Sequence, residues 1–233
     1  MQNEQFHSDS DSDLELSSHA LNALKEYMKE QEVLEAKFAE LKTSAEVNFE
    51  VLNMKNFKED FQLSQFWYSD GCALDIVNEA ISNTEDGDFI ACLSSPSVYL
   101  AFKKLNPLCN RKFVIFEVDE RFNVFKEEFQ QYDLYEPLNF DVKYKHAFKY
   151  LVVDPPFLSE ECFSKVKLTV DSLKFDSNTK ILINTGQIMQ QFVKRNFNCN
   201  LTKYQIEHSC GLANEFQCNI NYESKDPKFA LEL

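Results

Sequence analysis

The sequence predicts an α/β fold: a doubly wound, mostly parallel sheet with an N-terminal helical extension. Three observations carry this. Short apolar runs recur from residue 88 onward, helical patterns fall between most of them, and the runs are apolar without alternation. Strands covered on both faces read that way. The 233 residues, 44% of them apolar, suffice for one such domain and a small appendage.

Taken in order, residues 1–13 interleave Glu4, Asp9, Asp11 and Asp13 with serines and hold almost nothing apolar. They are expected to form a disordered acidic tail. Residues 14–60 are read as an N-terminal helix and a connector. From Leu16 to about Lys42 there is no Pro or Gly, and Ala, Leu, Glu and Lys are abundant. Residues 61–233 form the third and main domain. A helix over Asp70–Ser82 is expected to place Leu74, Val77 and Ile81 on one face, and Ser97–Leu105 is helical again. Strands are expected at 88–93, 112–118, 129–132, 149–153, 180–184, 204–207 and 216–222. No helical pattern separates the last two, so they read as an antiparallel pair at one end of the sheet.

Composition excludes several functions. The net charge of −14 repels polyanions and favours a basic partner, which argues against nucleic acid and anionic membranes. Glu4, Asp9, Asp11 and Asp13 supply only four of those charges, so the acidity belongs to the folded part as well. With 4 glycines in the whole chain, neither G-x-G-x-x-G nor a P-loop exists, and the pyrophosphate cradle of NAD, FAD and P-loop ATP sites is ruled out. The 7 cysteines show no C-x-x-C spacing and are expected to be reduced and buried rather than bound to metal. No apolar run reaches the roughly 18 residues needed to span a bilayer. A soluble, cytoplasmic monomer is expected.

In doubly wound sheets the ligand lies beyond the carboxyl ends of the strands, where strand order reverses. Ser94, Ser95, Pro96 and Ser97 follow the first strand. They are expected to present amides and hydroxyls to a carboxylate at a helix start, or else to be a plain helix cap. At the tip of the second strand Asp119 is the first choice for accepting two hydrogen bonds from a ribose diol, with Glu117 the competitor. Asp133 follows the third strand and can reach an adenine amino group. A ligand ending in an amino-acid carboxylate uses these groups and needs no pyrophosphate cradle; S-adenosylmethionine is such a ligand.

The most specific signal is Asp154, Pro155, Pro156 and Phe157 after the fourth strand. Two prolines stiffen the backbone where a buried strand stops. Asp154 and the Pro155 carbonyl can then accept hydrogen bonds from one amino group while Phe157 offers a ring face. A methyl transfer to nitrogen needs that orientation. The competing assignment is a strand-terminating turn with a core Phe. Ahead of the sheet, Gln65 can bond the cofactor's polar end, and Phe66 or Trp67 can shape a channel for a long side chain, unless this segment is only a lid.

Five stretches together are similar to one family: D-F-Q-L-S-Q-F-W-Y-S at 60–69, C-L-S-S-P-S-V-Y at 92–99, F-E-V-D-E-R-F at 116–122, D-P-P-F-L-S-E-E-C at 154–162 and L-A-N-E-F-Q-C-N-I-N-Y at 212–222. They resemble the eukaryotic elongation factor 1-alpha lysine methyltransferases, which formerly carried the description N6-adenine-specific DNA methyltransferase because of a D-P-P-F/Y motif. The resemblance runs over nearly the whole chain. It implies a class I, Rossmann-like methyltransferase domain over 61–233, with seven strands, the last antiparallel. It also implies S-adenosylmethionine as cofactor and a lysine of the elongation factor as methyl acceptor. By position, Asp154 to Phe157 become the amine-binding motif, Asp119 the ribose carboxylate, Asp133 an adenine contact and Ser94 to Ser97 the motif I loop. Two departures stand out: Phe157 replaces the Tyr of some relatives, and Ser209-Cys210-Gly211 replaces a stretch that is often basic. The alternatives are an N6-adenine nucleic-acid methyltransferase and a catalytically silent, methyltransferase-like module that binds a basic partner.

Overall fold

The computed structural model describes residues 22, 25–29, 33, 57, 59–60, 63–105, 110–211 and 216–232. The expected acidic tail, most of the N-terminal helix and nearly all of the connector lie outside the described residues. The chain divides into two units, Met1–Glu46 and Val47–Leu233. In the first, residues 22, 25–29 and 33 are helical.

The second unit runs α1 (Asp70–Ser82), β1 (Phe89–Leu93), α2 (Pro96–Leu105), β2 (Lys112–Glu117), β3 (Phe129–Gln131), β4 (Phe148–Val153), α3 (Glu160–Leu173), β5 (Lys180–Gly186), α4 (Gln190–Phe197), β6 (Asn200–Gln205) and β7 (Phe216–Ile220). The seven strands form one sheet in the order β3-β2-β1-β4-β5-β7-β6. Strands β1 to β5 pair in parallel, and β7 is antiparallel to both β5 and β6. The strand order reverses between β1 and β4, which makes their carboxyl ends the switch point of the sheet.

Both faces of the central strands are covered, which is why their sequences do not alternate. Ala91, Leu93, Val114, Phe116, Leu151, Val153, Ile181 and Ile183 face a core built with Phe163, Val166 and Val170 of α3 and Val193 and Phe197 of α4. The other parity, including Ile90, Cys92, Phe113, Ile115 and Val152, is buried too, and the ring of Phe113 stacks on Phe102 of α2 at 3.7 Å. At roughly 1.5–3 kcal/mol per buried large apolar side chain, these two layers dominate the stability of the unit.

Local chemistry sets the helix ends. Ser69 caps α1 by accepting from the Cys72 N–H, Ser159 caps α3 by accepting from the Cys162 N–H, and Glu160 and Glu161 complement the α3 dipole. Three expectations need correction. The buried stripe of α1 is Cys72, Ala73, Ile76, Val77 and Ala80, whereas Leu74 is 37% exposed and Ile81 only half-buried. Small residues at Ala73 and Ala80 let the helix approach its neighbours closely, and the larger Leu74 is displaced outward. The β2–β3 and β3–β4 connections carry 3-10 segments, Glu120–Glu128 and Val142–Tyr144, and no α-helix. Finally, β6 lies at Asn200–Gln205, N-terminal to the expected 204–207. As an outer strand it buries only Thr202 and Tyr204 fully, so its apolar signal is weak.

Candidate active site

The carboxyl ends of β1 and β4 are stitched together: the Asp154 N–H donates to the Leu93 carbonyl at 3.0 Å, and the Ser94 N–H to the Phe116 carbonyl of β2 at 2.9 Å. Ser94 adopts φ 52°, the left-handed conformation that favours glycine. The turn tightens there, so α2 starts two residues later with Pro96 in its first turn. Together these ends enclose a cavity of about 440 Å³ lined by Ser94 to Ser97, Glu117, Asp133 and Asp154 to Phe157. The segment ahead of the sheet closes one side, with Gln65, Phe66 and Trp67 also lining it.

That segment is held at many points. The Ser69 N–H donates to the Glu207 carbonyl and the Ser209 N–H to the Trp67 carbonyl, both at 2.8 Å. Trp67 is almost fully buried; its indole N–H donates to the Phe57 carbonyl at 2.7 Å and its ring meets Phe122 edge-on at 6.3 Å. Trp67 is thus an anchored part of the wall rather than a freely presented ring.

The two carboxylates at the tip of β2 differ in kind. Asp119, the first choice from sequence, caps the segment that follows and does not line the cavity. Its oxygens accept from the Arg121 backbone N–H at 2.9 Å, Arg121 Nε at 2.8 and 3.0 Å, Arg121 Nη2 at 2.6 Å and Gln65 Nε2 at 2.9 Å. A carboxylate offers about four lone-pair sites, so little capacity remains for a ligand. Burial works to raise this carboxyl, but the bonds from Arg121 and Gln65 outweigh it and hold it below the usual carboxylate range. Glu117 is the one that faces the cavity. Burial pushes its carboxyl up to about 7, and it forms no ion pair among the described residues. The sequence argument treated the later residue as the freer one and did not foresee Arg121 folding back onto it. Gln65 likewise spends its amide on Asp119 and its carbonyl on Arg121 Nη2 at 3.0 Å and the Asp60 N–H at 3.0 Å.

At the β4 tip, burial pushes Asp154 up to about 7, while a hydrogen bond from Tyr68 works to lower it. The Tyr68 hydroxyl donates to Asp154 Oδ2 at 2.5 Å. Phe157 and Leu158 are 40% and 38% exposed at the mouth, open to an incoming side chain. Asp133 is exposed, with one oxygen accepting from the Tyr135 N–H at 2.8 Å, so its second oxygen is available. Sequence reasoning missed Tyr68, His208, Leu158, Val118, Leu134, Tyr135 and Phe216. Tyr68 directly follows Phe66 and Trp67 in the stretch at 60–69, whereas His208 lies on a connection with no distinctive spacing.

The residues present suit S-adenosylmethionine. The cavity falls in the range of roughly 300–1,000 Å³ typical of small-ligand pockets. It holds a buried carboxylate, Glu117, that forms no ion pair among the described residues, an acceptor of the kind a diol needs. A helix N-terminus at Ser95 to Ser97 suits a carboxylate, and Val118, Leu134 and Asp133 line the same cavity, offering the apolar contact and the acceptor that a purine needs.

A seven-stranded doubly wound sheet with an antiparallel β7, a cavity at the β1/β4 switch point and a D-P-P-F corner in its wall define a class I methyltransferase. The family model described as "Probable N6-adenine methyltransferase" matches residues 59–224. The chain is 42% identical to EEF1A lysine methyltransferase 1 of Gallus gallus, over 93% of this chain and 98% of that protein. It is 38% identical to the protein of that name from Homo sapiens, over 90% and 92%, and 36% identical to Protein-lysine N-methyltransferase EFM5 of Saccharomyces cerevisiae, over 92% and 94%. The chain belongs to this family of EEF1A lysine methyltransferases. Among solved structures, the branched-chain polyamine synthase of Thermus thermophilus matches with a TM-score of 0.53 at 13% identity, covering 76% of this chain and 63% of that one. That likeness concerns the fold alone.

Proposed function

We propose that the chain transfers methyl groups from S-adenosylmethionine to a lysine side chain of elongation factor 1-alpha. The observation that carries this is the Asp154 to Phe157 corner opening into the same cavity as Glu117 and the Ser94 to Ser97 turn. S-adenosylmethionine supplies the electrophilic sulfonium methyl. Glu117 accepts from the ribose hydroxyls, taking the role that sequence reasoning gave first to Asp119. The α2 N-terminus faces the cofactor's carboxylate, and Asp133 accepts from the adenine amino group.

The lysine enters past Phe157 and Leu158. Free lysine has a pKa of about 10.4, so the neutral amine is the rare form near pH 7. Asp154 Oδ1 and the Pro155 carbonyl accept its N–H bonds and aim the lone pair inward. The Asp154 carboxylate also stands ready to take a proton from the amine. Phe157 offers cation–π attraction of about 0.5–2 kcal/mol to the methylated product.

A net charge of −14 supports a basic protein substrate over an adenine in nucleic acid, whose phosphates need several Lys or Arg contacts. No helix among the described residues is long and apolar enough to cross a membrane, and we place the activity in the cytoplasm, in a monomer. The test is incubation of the purified chain and labelled S-adenosylmethionine with elongation factor 1-alpha and, separately, an adenine-containing oligonucleotide. Methyl-lysine in the protein is the expected result. Label in the oligonucleotide alone would reverse the assignment, and no label in either would favour a silent binding module.

A further inference from the structure

Tyr68 touches both halves of the site without lining the cavity. Its backbone N–H donates to Ser97 Oγ at 3.1 Å, on the turn that opens α2, and its hydroxyl donates to Asp154 Oδ2 at 2.5 Å. Asn184 of β5 donates from Nδ2 to the Tyr68 hydroxyl oxygen at 3.0 Å. Because that oxygen already accepts from Asn184, its single hydrogen is directed to Asp154. The side chain is 3% exposed, its ring packs on His208 at 5.4 Å, and an antiparallel bridge pairs its backbone with His208. A buried phenol needs one partner; this one has two, and one of them is the carboxylate of the D-P-P-F corner.

We propose that Tyr68, oriented by Asn184, is a positioning residue for methyl transfer: it engages Asp154 Oδ2, favours the carboxylate over the acid, and leaves Oδ1 to face the substrate amine. This rests on the reading of Asp154 as the amine acceptor. Burial acts to protonate Asp154, and a protonated carboxyl would turn a donor toward the amine. The hydrogen bond from Tyr68 favours the charged form. The phenol itself stays protonated, since burial and the Asp154 charge both push its own titration far up. The Ser97 contact adds a geometric role, because one residue fixes the amine corner relative to the cofactor turn.

Other titratable groups near this point are Glu117 from β2, Asp133 after β3, His208 ahead of β7 and Cys72 of α1. Glu117 is the main competitor for any pH effect near 7. Saturating cofactor removes its influence on binding, and an E117Q background removes its charge.

The test compares kcat of wild type and Y68F on the protein substrate at saturating S-adenosylmethionine from pH 6 to 9, in both the native and E117Q backgrounds. The variant-to-wild-type ratio cancels the titration of the substrate lysine. It is expected to be lowest at pH 6 and to climb about eightfold or more by pH 9, because losing one hydrogen bond to a charged carboxylate moves Asp154 upward by about one unit or more. N184A, which keeps the phenol but frees its hydrogen, is expected to show the same slope at smaller amplitude, and it serves alone if Y68F does not fold. A ratio independent of pH in both variants, whatever its size, would overturn the proposal and leave Tyr68 a core tyrosine. If wild type itself methylates no lysine, the underlying function has failed, which is a distinct result.

Discussion

The tips of β2 and β4 each carry acidic residues, Glu117 and Asp119 buried and Asp154 half-buried, yet their surroundings differ. At β2, Asp119 is saturated by Arg121 and Gln65, and its job is structural: it ties the segment ahead of the sheet to the strand end. At β4, Asp154 accepts from a tyrosine and forms no ion pair among the described residues, and burial pushes its carboxyl up to about 7. Glu117, two residues before Asp119, resembles Asp154 in this respect. An acid held by an arginine is spent; one buried beside a cavity without a counter-charge is left for a ligand.

Substitutions can break this contrast, and the largest effect is expected at Asp154. D154A should lower kcat by about 10²–10⁴-fold, the usual range for a positioned acid–base group, with the S-adenosylmethionine Kd from calorimetry little changed. Equal losses in kcat and cofactor affinity would assign Asp154 to the cofactor. Next, E117A should weaken cofactor binding by about 10- to 100-fold, reflecting the net loss of one hydrogen bond to a charged acceptor at about 1.5–3 kcal/mol. D119A should cost about 1–3 kcal/mol of folding stability in denaturant titration and weaken the cofactor less than E117A does. The reverse ranking would restore Asp119 as the ribose acceptor.

A stability measurement sharpens the same contrast. Burial raises Glu117 to about 7 in the folded chain, so between the ordinary carboxylate range and 7 the folded state holds a proton that the unfolded state has released. Stability therefore falls as pH climbs through that window. E117Q escapes this penalty; without ligand its Tm should exceed wild type at pH 8, by the equivalent of up to about 3 kcal/mol, and converge with it only below about pH 4. Asp119 has the opposite sign, since its lowered carboxyl stabilises the fold above the unfolded pKa and loses that contribution as pH falls. The smallest effect is expected at Ser94, where S94G relieves a left-handed backbone worth about 1 kcal/mol; a lower Tm would mean that the Ser94 side chain contributes more than its backbone costs.

Much of the architecture was legible because central parallel strands announce themselves. Phe89–Leu93 is apolar throughout, and Lys112–Glu117 and Phe148–Val153 are apolar apart from Lys112, Glu117 and Lys149, because both faces of these strands are covered; the periodicity over Asp70–Ser82 likewise placed α1. What failed was decided by tertiary contacts. The outer strand β6 is wetted on one side, so Thr202 and Tyr204 gave too faint a pattern, and Leu74 yielded its place to alanines because helix approach, not hydrophobicity, selected the stripe. In the site, Pro155 and Pro156 fix their own backbone, so the corner could be read locally. The choice between Glu117 and Asp119 depended on where Arg121 folds, and the Tyr68 hydroxyl bridges 86 residues to Asp154. No local pattern encodes either.

The most direct test is a crystal structure of the chain with S-adenosylhomocysteine and a lysine-containing substrate peptide. The account predicts ribose hydroxyls on Glu117 and the lysine Nζ within hydrogen-bond distance of both Asp154 Oδ1 and the Pro155 carbonyl. A ribose bound by Asp119, or a lysine nitrogen remote from the Asp154 corner, would contradict it.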